Sequence, residues 1–207
     1  MSVPKSILLI ACGALAREIV HLIKVNNWTS IELECLPADL HNKPQLIPGL
    51  MREKIQRAKQ KNKYKKILAL YGDCGTGGLL DRVLEEEQVE RISGPHCYDF
   101  YTTPTVFNEL SEQELGSFYL TDYLARFFDR LIIQGLGIDK HPELKDMYFA
   151  HYTRVVYLAQ TENPELLDLA KAAAEKLGLA FVHHHTGYGD LSRFLENHTQ
   201  ASNAWQA

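Results

Sequence analysis

The chain has 207 residues, 45% of them hydrophobic and 23% charged, with a formal net charge of −4. This is the balance of an ordinary globular protein large enough to close one core, without the basic excess that marks nucleic-acid or membrane-surface binders. Four cysteines are too few for a disulfide scaffold, the N-terminus lacks the layout of a secretory signal, and no apolar run reaches the roughly 18 residues of a spanning helix. A cytoplasmic protein with neither nucleic acid nor membrane as partner is expected.

In chain order, residues 6–11 are apolar on both faces and run into Cys12 and Gly13, as a central parallel strand feeding a tight turn does. Leu15, Ile19, Leu22 and Ile23 then recur at helical spacing. Over 31–36, Ile31, Leu33 and Cys35 alternate with Glu32 and Glu34, which predicts an edge strand ended by Pro37. The loop 37–44 precedes a helix from about Gln45, and Lys54, Arg57, Lys59, Lys61, Lys63, Lys65 and Lys66 crowd the segment that follows. Its apolar period through Leu50, Ile55 and Ala58, with only Tyr64 as an interleaved aromatic, favours a solvated helix face over a nucleic-acid surface.

A third strand, 67–71, runs straight into Gly72-Asp73-Cys74-Gly75-Thr76-Gly77-Gly78 and a helix over 79–87. A weaker strand at 91–93 ends in Gly94-Pro95-His96-Cys97. A helix over 104–115, an extended piece at 117–120 and a long helix from Asp122 to about Gly135 read as a helical insertion before the last two strands. Tyr123, Phe127, Phe128, Leu131 and Ile132 give that insertion a broad apolar face, explained most simply by core packing, with a homo-oligomer seam as the rival. A buried strand over 154–159 precedes a helix opened by Pro164 and stopped by Gly178, and a last strand over 179–182 delivers His183, His184 and His185. Residues 198–207 are polar and small and are expected to fray. The fold class expected for 1–207 is α/β: a single-domain, doubly wound, mostly parallel sheet with helices on both faces.

Cys12, Cys74 and Cys97 each follow directly after a predicted strand and precede a helix, which is the edge where open α/β sheets bind ligands. If strands one, three and four are neighbours, these strand ends lie close enough for the thiols to converge on one ion. Three thiolates with His96 or a water suit tetrahedral zinc, and with an open position suit ferrous iron or an iron–sulfur cluster. The competing reading is three unrelated buried or loop cysteines; Cys35, on the apolar face of the edge strand, reads as core.

Gly13, Gly75, Gly77 and Gly78 are the candidate cofactor contacts, since glycines let backbone amides approach an anion or a bulky group. The glycine loop lacks the Lys of a phosphate-binding loop and the spacing of a dinucleotide fingerprint. His183 and His185 would share one face of a strand and His184 the other, which allows a two-histidine contribution to a metal or simple surface histidines. His41 and His151 are weaker candidates.

The succession Ala11-Cys12-Gly13 with Glu18, Leu36-Pro37-Ala38-Asp39-Leu40-His41-Asn42-Lys43-Pro44, Tyr71-Gly72-Asp73-Cys74-Gly75 with Gly77 and Gly78, His96-Cys97, and Gly116-Ser117-Phe118-Tyr119-Leu120-Thr121 resembles the family filed as domain of unknown function 1638. The resemblance runs from the first strand to about Arg154. It implies that Cys12, Cys74 and Cys97 stand at the family's cysteine positions, and it implies a role beside corrinoid proteins in one-carbon methyl transfer, with corrinoid as a further cofactor. The family's third motif reads His, Asp, Cys, so the adjoining His96 and Cys97 depart from it. The expectation is a metal-binding protein with Cys12, Cys74, Cys97 and His96 as candidate ligands, whose partners are a small molecule, corrinoid methyl-transfer proteins or a second copy. The alternative is a metal-free enzyme or binding module with an anion-binding glycine loop and one reactive cysteine.

Overall fold

Every residue of β1 (Ile7–Cys12) is buried, as its doubly apolar sequence requires of a strand covered on both faces. In the computed structural model, which describes residues 6–203 and the side chains of 6–199, β1 pairs in parallel with β2 (Ile31–Leu36) on one side and β3 (Lys66–Leu70) on the other. The short β4 (Glu90–Arg91) extends β3, also in parallel, and gives the order β2-β1-β3-β4. β2 is an edge strand, as its alternation predicts, and β1, β3 and β4 are neighbours. Because all four strands run the same way, their carboxyl ends share one edge.

Helix α1 (Ala16–Val25) contributes Ile19 and Leu22 to the core, α2 (Ile47–Lys61) contributes Ile47, Met51 and Ile55, and α3 (Leu79–Glu86) contributes Leu80 and Leu84, all buried. Each such side chain is worth roughly 1.5–3 kcal/mol of removed apolar surface. Basic residues of α2 and of the stretch just after it are matched by carboxylates on neighbouring elements: Lys54 with Glu34 at 3.0 Å and Lys59 with Glu87 at 2.7 Å from α2, and Lys63 beyond it with Glu32. This is the solvated helix face that the periodicity predicts.

The strands beyond residue 100 form a sheet of their own. The segment expected as a helical insertion contains β5 (Ser117–Thr121), which pairs in parallel with β6 (Arg154–Ala159), and β6 pairs with β7 (Ala180–His185). The helices are α4 (Pro104–Gln113), α5 (Asp122–Arg126), α6 (Glu143–Phe149) and α7 (Pro164–Leu177). The long helix expected from Asp122 is interrupted: α5 ends at Arg126 and a π-helical stretch occupies Asp129–Gln134. Phe128 is buried in the core of this part and Ile132 packs against it, whereas Tyr123, Phe127 and Leu131 are half-buried.

The chain divides into two compact units, one made of 1–100 with 190–207 and the other of Tyr101–Gly189. The α/β alternation is as expected, with its strands distributed over two parallel sheets in place of one. The last helix, α8 (Gly189–Asn203), runs through the segment expected to fray from residue 198. Thr199 is buried and its hydroxyl donates to the Leu195 carbonyl at 2.8 Å, and the ring of His198 lies 2.8 Å from Lys66 Nζ and 3.1 Å from Glu90. Residues 204–207 lie outside the described residues.

Candidate thiol site at the edge of the first sheet

Three strand ends deliver the three thiols to one place. Cys12 closes β1, Cys74 stands four residues beyond β3, and Cys97 follows the loop after β4. The loop lies against the end of β3 because Gly72 has no side chain: a Cβ there would come within 2.7 Å of the His96 carbonyl carbon and 2.9 Å of the Cys97 nitrogen. Backbone bonds lock the contact, from the Asp73 amide to the Gly94 carbonyl at 3.2 Å and from the Cys74 amide to the Pro95 carbonyl at 2.8 Å. The Gly72 amide points at Cys97 Sγ at 3.5 Å, and Cys97 Sγ lies 3.4 Å from Cys74 Sγ.

Cys97 is hydrogen-bonded to Cys12 as well as to Cys74, and those bonds, with burial, hold its thiol well above the usual range. The other two sulfurs move the opposite way. Cys74 is pushed down to about 3 by the hydrogen bond from Cys97, assisted against burial by His41, His96 and the Cys97 amide. Cys12 is lowered by Cys97 first, with the Ala14 amide and the Tyr71 hydroxyl also donating to it. The Tyr71 hydroxyl is correspondingly harder to ionise, mainly because it is buried. His41 is raised, because its imidazolium pairs with the Cys74 sulfur. One S–H of Cys97 serves one acceptor at a time, and the lowered Cys74 thiol with the raised His41 imidazole favours a thiolate–imidazolium pair.

Cys74 holds a left-handed backbone with φ of +49°. Such a conformation is favourable for glycine and tolerated by asparagine, and it costs another residue roughly 1 kcal/mol or more. A cysteine kept there at that cost points to a role for its sulfur.

Of the other candidates, His96 lies beside Cys74 and stacks on the Tyr98 ring at 4.8 Å, and its Nδ1 is buried without a hydrogen-bond partner. His41, rated weakly from sequence, belongs to the site. It lies in the 3-10 turn Ala38–Asn42 that follows β2, so the carboxyl end of a fourth strand supplies it. Cys35 is half-buried, not core, and burial raises its thiol. His183, His184 and His185 are the last residues of β7 in the other unit, where His183 stacks on Tyr157 at 5.5 Å; His151 is exposed. Among the described residues, no group of three or more His, Cys, Asp or Glu side chains is placed to hold a metal ion.

The glycine loop corrects an expectation. The amides of Gly77 and Gly78 donate to the Asp73 carboxylate at 3.2 and 2.8 Å, and Thr76 donates its hydroxyl to it at 2.6 Å. The loop thus closes on its own anion, and Gly75, Gly77 and Gly78 do not offer a phosphate cradle. Gly13 serves close packing, since a Cβ there would sit 3.0 Å from the Leu36 carbonyl oxygen.

The arrangement offers a thiolate, a proton-holding thiol beside it and two imidazoles. Iodoacetamide alkylation of Cys74 in the metal-free protein is expected to keep a nearly constant rate from pH 8 down to about pH 5, because its sulfur stays ionised across that range. A rate falling tenfold per pH unit, as for a free thiol near 8.5, would overturn this assignment; mass spectrometry of the alkylated peptide reads it.

A family model described as "Protein of unknown function (DUF1638)" matches residues 35–195. The match takes in His41, Cys74, His96 and Cys97, continues past Arg154, and begins after the first strand and Cys12. No curated protein matches the chain.

Proposed function

The chain belongs to the DUF1638 family of proteins of unknown function, and we propose that it binds a soft transition metal, zinc or iron, through Cys12, Cys74 and Cys97. The observation that carries this reading is that the Cys97 thiol is hydrogen-bonded to both of the others, so three sulfurs from three strand ends meet. Tetrahedral Zn–S bonds of about 2.3 Å require sulfurs about 3.8 Å apart, against 3.4 Å between Cys74 and Cys97. The Cys74 and Cys97 sulfurs thus need to part by only about 0.4 Å as a cation replaces the proton between them. The buried, unpartnered Nδ1 of His96 and the imidazole of His41 are the nitrogen donors at hand for a fourth position.

The metal would supply Lewis acidity toward a bound thiol, water or other donor. The chain's own residues prepare for it: Cys12 and Cys74 already favour the thiolate form that metals bind, Tyr71 donates to Cys12, and His41 neutralises Cys74 until a cation arrives. A cytoplasmic location accords with thiols kept reduced. The partner class that the resemblance implies, corrinoid-dependent methyl-transfer proteins, rests on that resemblance alone.

The test is elemental analysis of untagged protein purified without oxygen or chelator. Near one zinc or iron per chain is expected in the native protein and in Cys35→Ser, and several-fold less in Cys74→Ser. Equal loss in both variants, or no metal in the native protein after reconstitution, would sink the proposal.

The Cys74–His41 pair favours a second reading, a metal-free nucleophilic cysteine. Its anion-binding half is removed by the engagement of the glycine-loop amides with Asp73. A metal-free nucleophile predicts alkylation of Cys74 that chelator leaves unchanged, whereas bound metal predicts protection that chelator lifts.

A further inference from the structure

The geometry points to a second chemistry at the same thiols: Cys74 and Cys97 are a dithiol that a hydroperoxide converts to a disulfide, a modification that expels the metal. The metal-release half rests on the metal-binding reading; the disulfide half stands on the sulfurs alone.

All four cysteines are free, yet Cys74 and Cys97 hold their sulfurs 3.4 Å apart. A disulfide bond of about 2.05 Å is reached by closing about 1.4 Å. The backbones are already neighbours, since the Cys74 amide bonds to the Pro95 carbonyl, two residues before Cys97, at 2.8 Å. Gly72 allows that approach. Cys12 is the competing partner for Cys97, but its sulfur also accepts from the Ala14 amide and the Tyr71 hydroxyl, which hold it in place.

In the first step the Cys74 thiolate attacks the O–O bond of the hydroperoxide; an S–O bond forms, the O–O bond breaks, and hydroxide or alkoxide leaves and takes a proton from solvent. In the second the Cys97 sulfur attacks the Cys74 sulfur; the S–S bond forms, the S–O bond breaks, and the departing hydroxide takes the Cys97 proton as water. The two sulfurs together lose two electrons, one proton comes from Cys97 and the other from solvent, and the hydroperoxide is reduced to water and an alcohol, or to two waters. Two of the three proposed sulfur ligands are then committed to each other and no longer bind metal as thiolates.

The experiment uses the full chain, metal-free and zinc-loaded, treated with hydrogen peroxide at a small molar excess. Trypsin cleavage after Arg17, Arg82 and Arg91 puts Cys12, Cys74 and Cys97 in separate peptides. The expected result for the metal-free chain is a 2 Da loss, one cross-linked pair joining the Cys74 and Cys97 peptides, Cys12 and Cys35 still alkylatable, and full reversal by dithiothreitol. The zinc-loaded chain is expected to release its zinc in step with the same cross-link. A Cys12–Cys97 cross-link, or stepwise addition of oxygen to Cys74 without any cross-link, would overturn the proposal. A chain that cross-links Cys74 to Cys97 but never takes up zinc would overturn the metal reading and leave the disulfide standing; zinc uptake without the cross-link would do the reverse.

Discussion

Gly72→Ala is expected to cost about 3 kcal/mol of stability and to separate Cys97 from Cys74. The added Cβ would meet backbone atoms of His96 and Cys97 at 2.7–2.9 Å, and backbone cannot swing aside as a flexible side-chain tip can; overpacking of this kind costs typically 1–3 kcal/mol and occasionally more. Relief requires the loop 94–97 to lift from β3, which loosens the bonds from Asp73 and Cys74 to Gly94 and Pro95. Urea denaturation should report the lowered midpoint, and metal content and the peroxide cross-link should fall together in the folded fraction. Gly49→Ala is the control: the position lies within α2 with nothing within 4 Å of the added carbon, so a gain of roughly 0.5–1 kcal/mol is expected. Equal effects of the two substitutions would show that close approach at Gly72 does not hold the site together.

The largest effect in the other unit is expected at Asp122. Its carboxylate is buried at the end of β5 and accepts from the Tyr157 hydroxyl at 2.7 Å, the Gln160 amide at 3.1 Å and the Thr161 hydroxyl at 2.6 Å. Asp122→Ala strands three donors, two of them buried, and each unsatisfied group costs about 1–3 kcal/mol. A loss of about 3–5 kcal/mol follows. Asp122→Asn keeps one acceptor oxygen and turns an NH2 toward donors, so about 2 kcal/mol is expected. Denaturation followed by Tyr fluorescence and far-UV circular dichroism checks both; a loss under 1 kcal/mol for the alanine variant would mean that the donors find other acceptors.

Much of this architecture can be read from local pattern. β2 at Ile31–Leu36 and β6 at Arg154–Ala159 occupy the stretches that their alternation and apolar run mark, and α7 is bounded by Pro164 and Gly178 as its caps require. Local pattern does not say which strands pair. Ser117–Thr121 is a short extended piece between helices, and only its partner, more than thirty residues later, makes it a strand of a second sheet. The break after Arg126 was hidden for a related reason: Leu131 and Ile132 continue a helical stripe that a π-helical stretch carries equally well.

At the site, the placement of Cys12, Cys74 and Cys97 at one edge of the sheet was legible because all three follow strands of one direction. His41 was rated only weakly, although it follows the end of β2 just as the cysteines follow theirs. The glycine loop misled because its composition alone suggests a cradle; Asp73, at its head and four residues before Gly77, is the signal that the loop's amides are spoken for. The tail misled because its stripe changes chemistry midway: Leu191 and Leu195 are followed, at the same spacing, by His198 and Thr199, polar residues that are nonetheless covered.

The first unit is discontinuous in the chain, its last helix separated from the rest by the 89 residues of Tyr101–Gly189. A ribosome adding roughly 5–20 residues per second therefore completes all three thiol-bearing strand ends about 4–18 seconds before α8 begins. Throughout that interval the nascent chain carries Cys12, Cys74 and Cys97 without the helix whose Leu191 and Leu195 complete the unit's core. The three thiols are thus synthesised seconds before the unit that carries them is complete.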